Sequence, residues 1–187
     1  NNNATKMGLL GKTKDDYSNL TYTPGYACIG VVDINTGKQL GALPMADGAY
    51  IRPFFFTDDR ILFSPKEGGI AVSTNNYNDY KNIYSNKINA LALSPDNKQI
   101  AFSEGIYFYT INVDGSNKKQ INCGGEPVTV TKGDDVSDMC WSPDGKHIAL
   151  CVRAGSHLQI AVLPTDGSDF SIIKDADGDV LQQENVL

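Results

Sequence analysis

LALSPDNKQIAF at Leu91–Phe102 and MCWSPDGKHIAL at Met139–Leu150 are one string written twice, with six identical positions in twelve. Each copy is an apolar run, a Ser-Pro-Asp-Asn/Gly turn and a second apolar run. Pro95 or Pro143 presets φ, the carboxylate of Asp96 or Asp144 can accept from nearby backbone amides, and Asn97 or Gly145 takes the left-handed position. That chemistry makes a type I turn with a bulge between two antiparallel strands. After the turn, Ile100 and Phe102, or Ile148 and Leu150, alternate onto one face, where they can pack against a neighbouring sheet. A hairpin that recurs after tens of residues marks a repeat protein.

A second landmark follows each hairpin. IYFYTINVDGSNKKQI ends a strand at Asp114-Gly115, and LQIAVLPTDGSDFSII does so at Asp166-Gly167. Upstream, Gly37 in GVVDINTGKQL and Asn76 in AVSTNNYNDYKNIY are expected at the same point, since both residue types tolerate positive φ. The intervals from Gly37 to Asn76, Gly115 and Gly167 are 39, 39 and 52 residues, and a polar insertion near Gly124–Asp135 accounts for the long last one. FFFTDDRILF at Phe54–Phe63 imitates the first landmark with Asp58-Asp59 at its turn, and LLGKTKDDYSNLTY is read as an eroded hairpin around Asp15-Asp16. The expected fold is all-β: four-stranded antiparallel blades of a β-propeller, about four of them, in a single domain over 1–187. The units fall near 7–49, 50–88, 89–136 and 137–178, with 179–187 a tail or the start of a further blade. Four blades form either a compact ring or part of a larger propeller.

Composition agrees. A chain of 187 residues buries roughly 70% of its unfolded surface and needs no staples. Its 18 Gly and 8 Pro supply the turns that short strands need. With a formal charge of −6 and no more than two adjacent basic residues, it lacks the patch that neutralises a nucleic-acid backbone. The longest apolar stretches, around Ala27–Val32 and Ile148–Val152, fall far short of the ~20 residues that cross a bilayer. No signal-peptide core is visible, and the polar start Asn1–Thr5 would suit a terminus left after a leader is trimmed. The chain is read as water-soluble.

Candidate chemistry is sparse. GLLGKT at Gly8–Thr13 lacks the first glycine of a phosphate-binding loop, because Lys6 stands there. Asp175, Asp177 and Asp179 begin like a calcium loop, but Gly178 comes too early and Val186 occupies the position of the bidentate Glu, so a solvated turn is expected. His147 and His157 are the only histidines, and no Ser lies in a Gly-x-Ser-x-Gly elbow. No catalytic residue, metal or cofactor is assigned. Cys140 and Cys151 sit on two arms of one hairpin, where a cross-strand disulfide and free thiols are the alternatives. Asn3-Ala-Thr5 and Asn19-Leu-Thr21 match the glycosylation pattern and carry no weight. Trp141, the sole tryptophan, placed directly before Ser142, is read as packing between blades, with a partner contact as the alternative, and the Asn/Tyr-rich segment with Tyr77, Tyr80 and Tyr84 is read as an exposed, adaptable contact surface.

The two strings resemble the Pro-Asp repeat of TolB-type propellers, relatives of WD-repeat blades, in which an aromatic or apolar residue precedes S-P-D-G, two residues and I-A-F. Met139–Leu150 fits with Trp141 and Gly145 in place, and Leu91–Phe102 fits with Asn97 at the glycine position. The resemblance covers Leu91–Ser171 and extends in weaker form over Asp47–Ala90. It implies a β-propeller without cofactor, commonly in the bacterial cell envelope, used as a protein-binding platform or as the gating domain beside a peptidase. It therefore implies a non-enzymatic scaffold subunit at a periplasmic or envelope location, with the cytoplasm as the alternative. The rival functions are the propeller portion of a larger peptidase or polysaccharide-degrading enzyme, and a glycan-binding module. Familiar members have six or more blades and this chain has room for about four, so oligomerisation or assembly through an open blade edge joins the expected partner interactions.

Overall fold

The structure is a computed structural model that describes residues 6–11, 28–44, 54–57, 60–65, 67–130, 135–154, 157–169, 171–172 and 182–183. The Asp15-Asp16 and Asp58-Asp59 turns, the Asp175–Asp179 run, both Asn-x-Thr patterns and the Lys12-Thr13 end of GLLGKT lie outside the described residues. Within them there are strands and turns and no helix, and the strands form small antiparallel sheets of the blade type. The chain divides into two compact units, Asn1–Lys87 and Ile88–Leu187.

In the first unit, β1 (Lys6–Gly11), β2 (Cys28–Asp33) and β3 (Gln39–Pro44) form one sheet. Leu9 pairs with Gly30 and Leu10 with Ile29, so the partner of the first strand is β2. A second sheet runs β4 (Phe54–Thr57), β5 (Arg60–Phe63), β6 (Ile70–Ser73) and β7 (Tyr80–Tyr84). Ile29, Val31 and Leu43 of the first sheet pack with Ile61, Phe63 and Ala71 of the second, and Tyr77 joins them. The two sheets approach so closely that a Cβ on Gly41 would lie 2.5 Å from the Tyr77 carbonyl oxygen.

Asn76 was expected in the left-handed position, but Tyr77 holds it, at φ 56°. Asn76 instead does what Asp does in the other turns. Its Oδ1 accepts the Asn78 amide at 3.1 Å, just as Asp114 accepts the Ser116 amide at 2.8 Å and Asp166 accepts that of Ser168 at 3.0 Å. Gly115 and Gly167, at φ 90° and 85°, are the counterparts of Tyr77. A bulky residue tolerates this backbone because Tyr77, 2% exposed, is held within the apolar cluster between the sheets.

In the second unit, β8 (Leu91–Leu93), β9 (Gln99–Glu104), β10 (Tyr107–Asn112) and β11 (Lys119–Gln120) form the third sheet. The polar insertion opens with a short hairpin, β12 (Asn122–Cys123) and β13 (Glu126–Pro127). The fourth sheet comprises β14 (Asp135–Trp141), β15 (His147–Ala154), β16 (His157–Pro164) and β17 (Ser171–Ile172), with β18 (Gln182–Gln183) also on β16. Gln182–Gln183 thus extends the fourth sheet. Val136, Met139, Ile148, Leu150 and Leu163 of the fourth sheet bury Ala92, Ala101 and Phe108 of the third. The insertion hairpin is tied down as well, since the Gly124 amide donates to the Gly167 carbonyl at 3.0 Å.

Candidate functional site

Both Ser-Pro-Asp turns form as their sequence directs. Asn97 and Gly145 adopt φ 59° and 71°. Ser94 Oγ donates to Asp96 Oδ1 at 2.7 Å, and Ser142 Oγ to Asp144 Oδ1 at 2.6 Å. The same carboxylate oxygens accept the Lys98 and Lys146 amides, each at 3.0 Å, while each Ser Oγ accepts the amide five residues on, Gln99 or His147, at 2.9 Å. The serine hydroxyl first and the lysine amide second hold both carboxyls below the ordinary carboxylate range. Both stay ionised across physiological pH.

Stacking of the third and fourth sheets brings these turns, 48 residues apart, side by side. Between them lies an open cleft of about 390 Å³ lined by Ser94, Asp96, Gln99, Trp141, Asp144 and Gly145, among others. Trp141 is half-buried against the core of the unit. Its indole N–H donates to the Ala92 carbonyl of β8 at 3.1 Å, so the ring ties one sheet to the next and is held in a single orientation. The cleft therefore offers a fixed aromatic surface between two fixed negative charges.

The three tyrosines are placed differently. The structure corrects the exposure expected of Tyr77, which is buried as described above. Tyr80 is half-buried, edge-on to Phe63 at 5.4 Å between ring centroids, and its hydroxyl donates to Glu67 Oε2 at 3.0 Å. Burial first, then the Glu67 carboxylate, raises its pKa above the usual phenol value. Tyr84, also half-buried, accepts from the Asn86 amide nitrogen at 3.2 Å. None of the three lines the cleft, whose one aromatic is Trp141. Sequence reasoning missed Asp96 and Asp144 as members of a shared site, because each turn accounts for its own aspartate. The available signal was the repeat itself, since equal turns on stacked sheets fall at equal heights.

Cys123, Cys140 and Cys151 are free thiols. Cys140 pairs with Ala149 and Cys151 with Asp138, so the two cysteines are diagonal rather than opposed. Among the described residues no cluster of His, Cys, Asp and Glu is arranged to hold a metal.

No family model and no curated protein matches the sequence. Solved structures do match it. An oligogalacturonate lyase in complex with manganese superposes at TM-score 0.63 and 11% identity over 94% of this chain and 53% of its own. TolB from Acinetobacter baumannii superposes at 0.59 and 19% identity over 91% and 41%, and a nidogen/laminin complex at 0.57 and 13% over 92% and 62%. The chain thus spans less than two thirds of each of these structures. At such identities the likeness establishes the architecture, an all-β fold of the β-propeller type. Members of that architecture include enzymes and binding proteins alike. No helix among the described residues is long and apolar enough to cross a membrane.

Proposed function

We propose that this chain is a non-enzymatic propeller module that binds protein, a scaffold subunit of a bacterial cell-envelope assembly. The observation that carries the reading is Trp141, half-buried and oriented by its bond to Ala92, standing in an open cleft between two ionised aspartates. A pre-oriented tryptophan loses little conformational freedom when a partner covers it, which is the property of an interface anchor. The flanking Asp96 and Asp144 favour a Lys- or Arg-bearing segment, whose cation would lie over the ring and between the carboxylates. The TolB-type character of the repeat supports the envelope location.

The test is the mass of the assembly in the native source, with identification of co-purifying proteins by tagged wild-type chain and by the chain carrying Trp141→Ala and Asp144→Asn. A companion held by the wild type and released by the variant is expected. A clean monomer without companions would reject the reading. The rival, a propeller portion of a larger enzyme, is supported by the likeness to the oligogalacturonate lyase. It would be favoured by a parent gene encoding a Gly-x-Ser-x-Gly segment outside this chain.

A further inference from the structure

The side chains lining the cleft between the two Ser-Pro-Asp turns differ in what each still has to offer a ligand. The indole N–H of Trp141 is spent on the Ala92 carbonyl, so the ring presents a π face and no donor. The Ser94 hydroxyl donates to Asp96 while its oxygen accepts the Gln99 amide at 2.9 Å, which leaves it no proton to give. Pro95 and Pro143 are apolar walls without an N–H. Among the described residues of the lining, Gln99 keeps the one uncommitted side-chain donor.

The acceptors are in the opposite condition. In each turn the Ser hydroxyl and the Lys amide both fall on Oδ1, at 2.7 and 3.0 Å for Asp96 and at 2.6 and 3.0 Å for Asp144. Oδ2 of each carboxylate takes no hydrogen bond among the described residues. The turns therefore hold these two oxygens in place without using them. Lys98 and Lys146, which follow the two turns, are not part of the lining.

A cleft with two free anionic acceptors, one ring face and almost no donors selects by inventory. Carboxylates and phosphates meet only like charge. A sugar hydroxyl finds acceptors for its proton but few donors for its lone pairs. An ammonium can sit over the ring or against a carboxylate, but it is a compact, strongly hydrated charge that gives up its water reluctantly. A guanidinium is flat, weakly hydrated and carries five N–H donors and no acceptor. Laid on the indole, it stacks by its face and sends N–H groups outward in its own plane, toward the carboxylates on either side. The proline walls suit its methylene stem.

We infer that the Trp141 cleft is an arginine-selective site, which takes a guanidinium stacked on Trp141 with its edge N–H groups on Oδ2 of Asp96 and Asp144 and discriminates against lysine. The inference rests on the cleft being the protein contact proposed above.

Trp141 is the only tryptophan of the chain, so its emission, excited where tyrosine does not absorb, reports this site alone. The probes are acetyl-Gly-Arg-Gly-amide and its lysine and citrulline counterparts, titrated into the full chain at constant ionic strength. The arginine peptide is expected to saturate with a dissociation constant below about 10 mM, roughly tenfold tighter than the lysine peptide. The citrulline peptide, neutral but of the same shape, should bind at least about tenfold more weakly than arginine. Asp144→Asn should weaken the arginine peptide by about tenfold and narrow its lead over lysine. The turn tolerates that change, since Asn76 Oδ1 accepts the Asn78 amide in an equivalent bond, and the thermal midpoint checks it. Equal constants for arginine and lysine would overturn the inference, as would no saturation below about 10 mM, or arginine binding indifferent to Asp144→Asn. Should the variant unfold, the ratio of the two constants on the wild-type chain decides alone. A native companion released by the Trp141→Ala and Asp144→Asn chain, together with equal peptide constants, leaves the protein contact and removes the arginine preference. A clean monomer that still prefers the arginine peptide removes the scaffold role and leaves the chemistry of the cleft.

Discussion

The third and fourth sheets begin from the same string and make the same turn, with corresponding Ser, Asp and Lys hydrogen bonds agreeing within 0.1 Å. Yet corresponding faces differ completely, Phe108 at 0% and Ile160 at 39% exposure. Local chemistry therefore dictates the hairpin, while burial is dictated by where a sheet stands in the stack. A residue's identity does not reveal which of the two it obeys.

The largest expected effect compares those two positions. Phe108→Ala should lower the unfolding free energy by about 3–5 kcal/mol, whereas Ile160→Ala should cost less than about 1 kcal/mol, measured by urea denaturation. Equal losses would erase the distinction between the sheets. Trp141→Phe removes the donor that bridges the sheets at the Ala92 carbonyl and should cost about 1–2 kcal/mol, with faster hydrogen exchange in β8. The turns should respond less, and by backbone alone. A Cβ at Gly145 meets nothing within 4 Å, so Gly145→Ala reports left-handed strain, about 1–2 kcal/mol. Asn97→Gly should be neutral within about 0.5 kcal/mol, as the fourth sheet already uses glycine there.

The smallest effect is on pH dependence and should be equal in the two turns. Folding lowers the pKa of Asp96 and Asp144 below the ordinary 3.8. The stability they contribute is therefore complete above pH 3.8 and is lost as pH falls below it through the folded-state values. Ser94→Ala and Ser142→Ala remove the first cause of each shift. NMR titration should then move both carboxyls back up, by matching amounts if the turns are as equivalent as their geometry.

The hairpins were legible because Pro95, Asp96 and Asn97, or Pro143, Asp144 and Gly145, settle their turn within a few residues. Asn76 was misread by one position because asparagine can either adopt positive φ or accept the following amides. The choice fell to the second role only because the Tyr77 ring is drawn into a core supplied by Ile29, Val31 and Leu43, which lie more than 30 residues away. Tyr77 illustrates the same limit, since a tyrosine among asparagines reads as surface until its packing is known. The cleft was invisible for a related reason. Trp141 was recognised as a candidate, but its two aspartates belong to turns that meet only after the sheets stack.

The short hairpin that opens the polar insertion bears on how the second unit assembles. Its tip bonds to Gly167, in the turn that closes the third and outer strands of the fourth sheet, and a Cβ at Gly124 would press on Asp169 at 2.6 Å. That connection cannot settle until residues more than 40 positions later have folded. Repeat arrays ordinarily let each module form against its neighbour and fray independently. Here the connecting segment is fastened to the far side of the module it precedes, so the third and fourth sheets should unfold together in one transition and fold more slowly than local hairpins alone would.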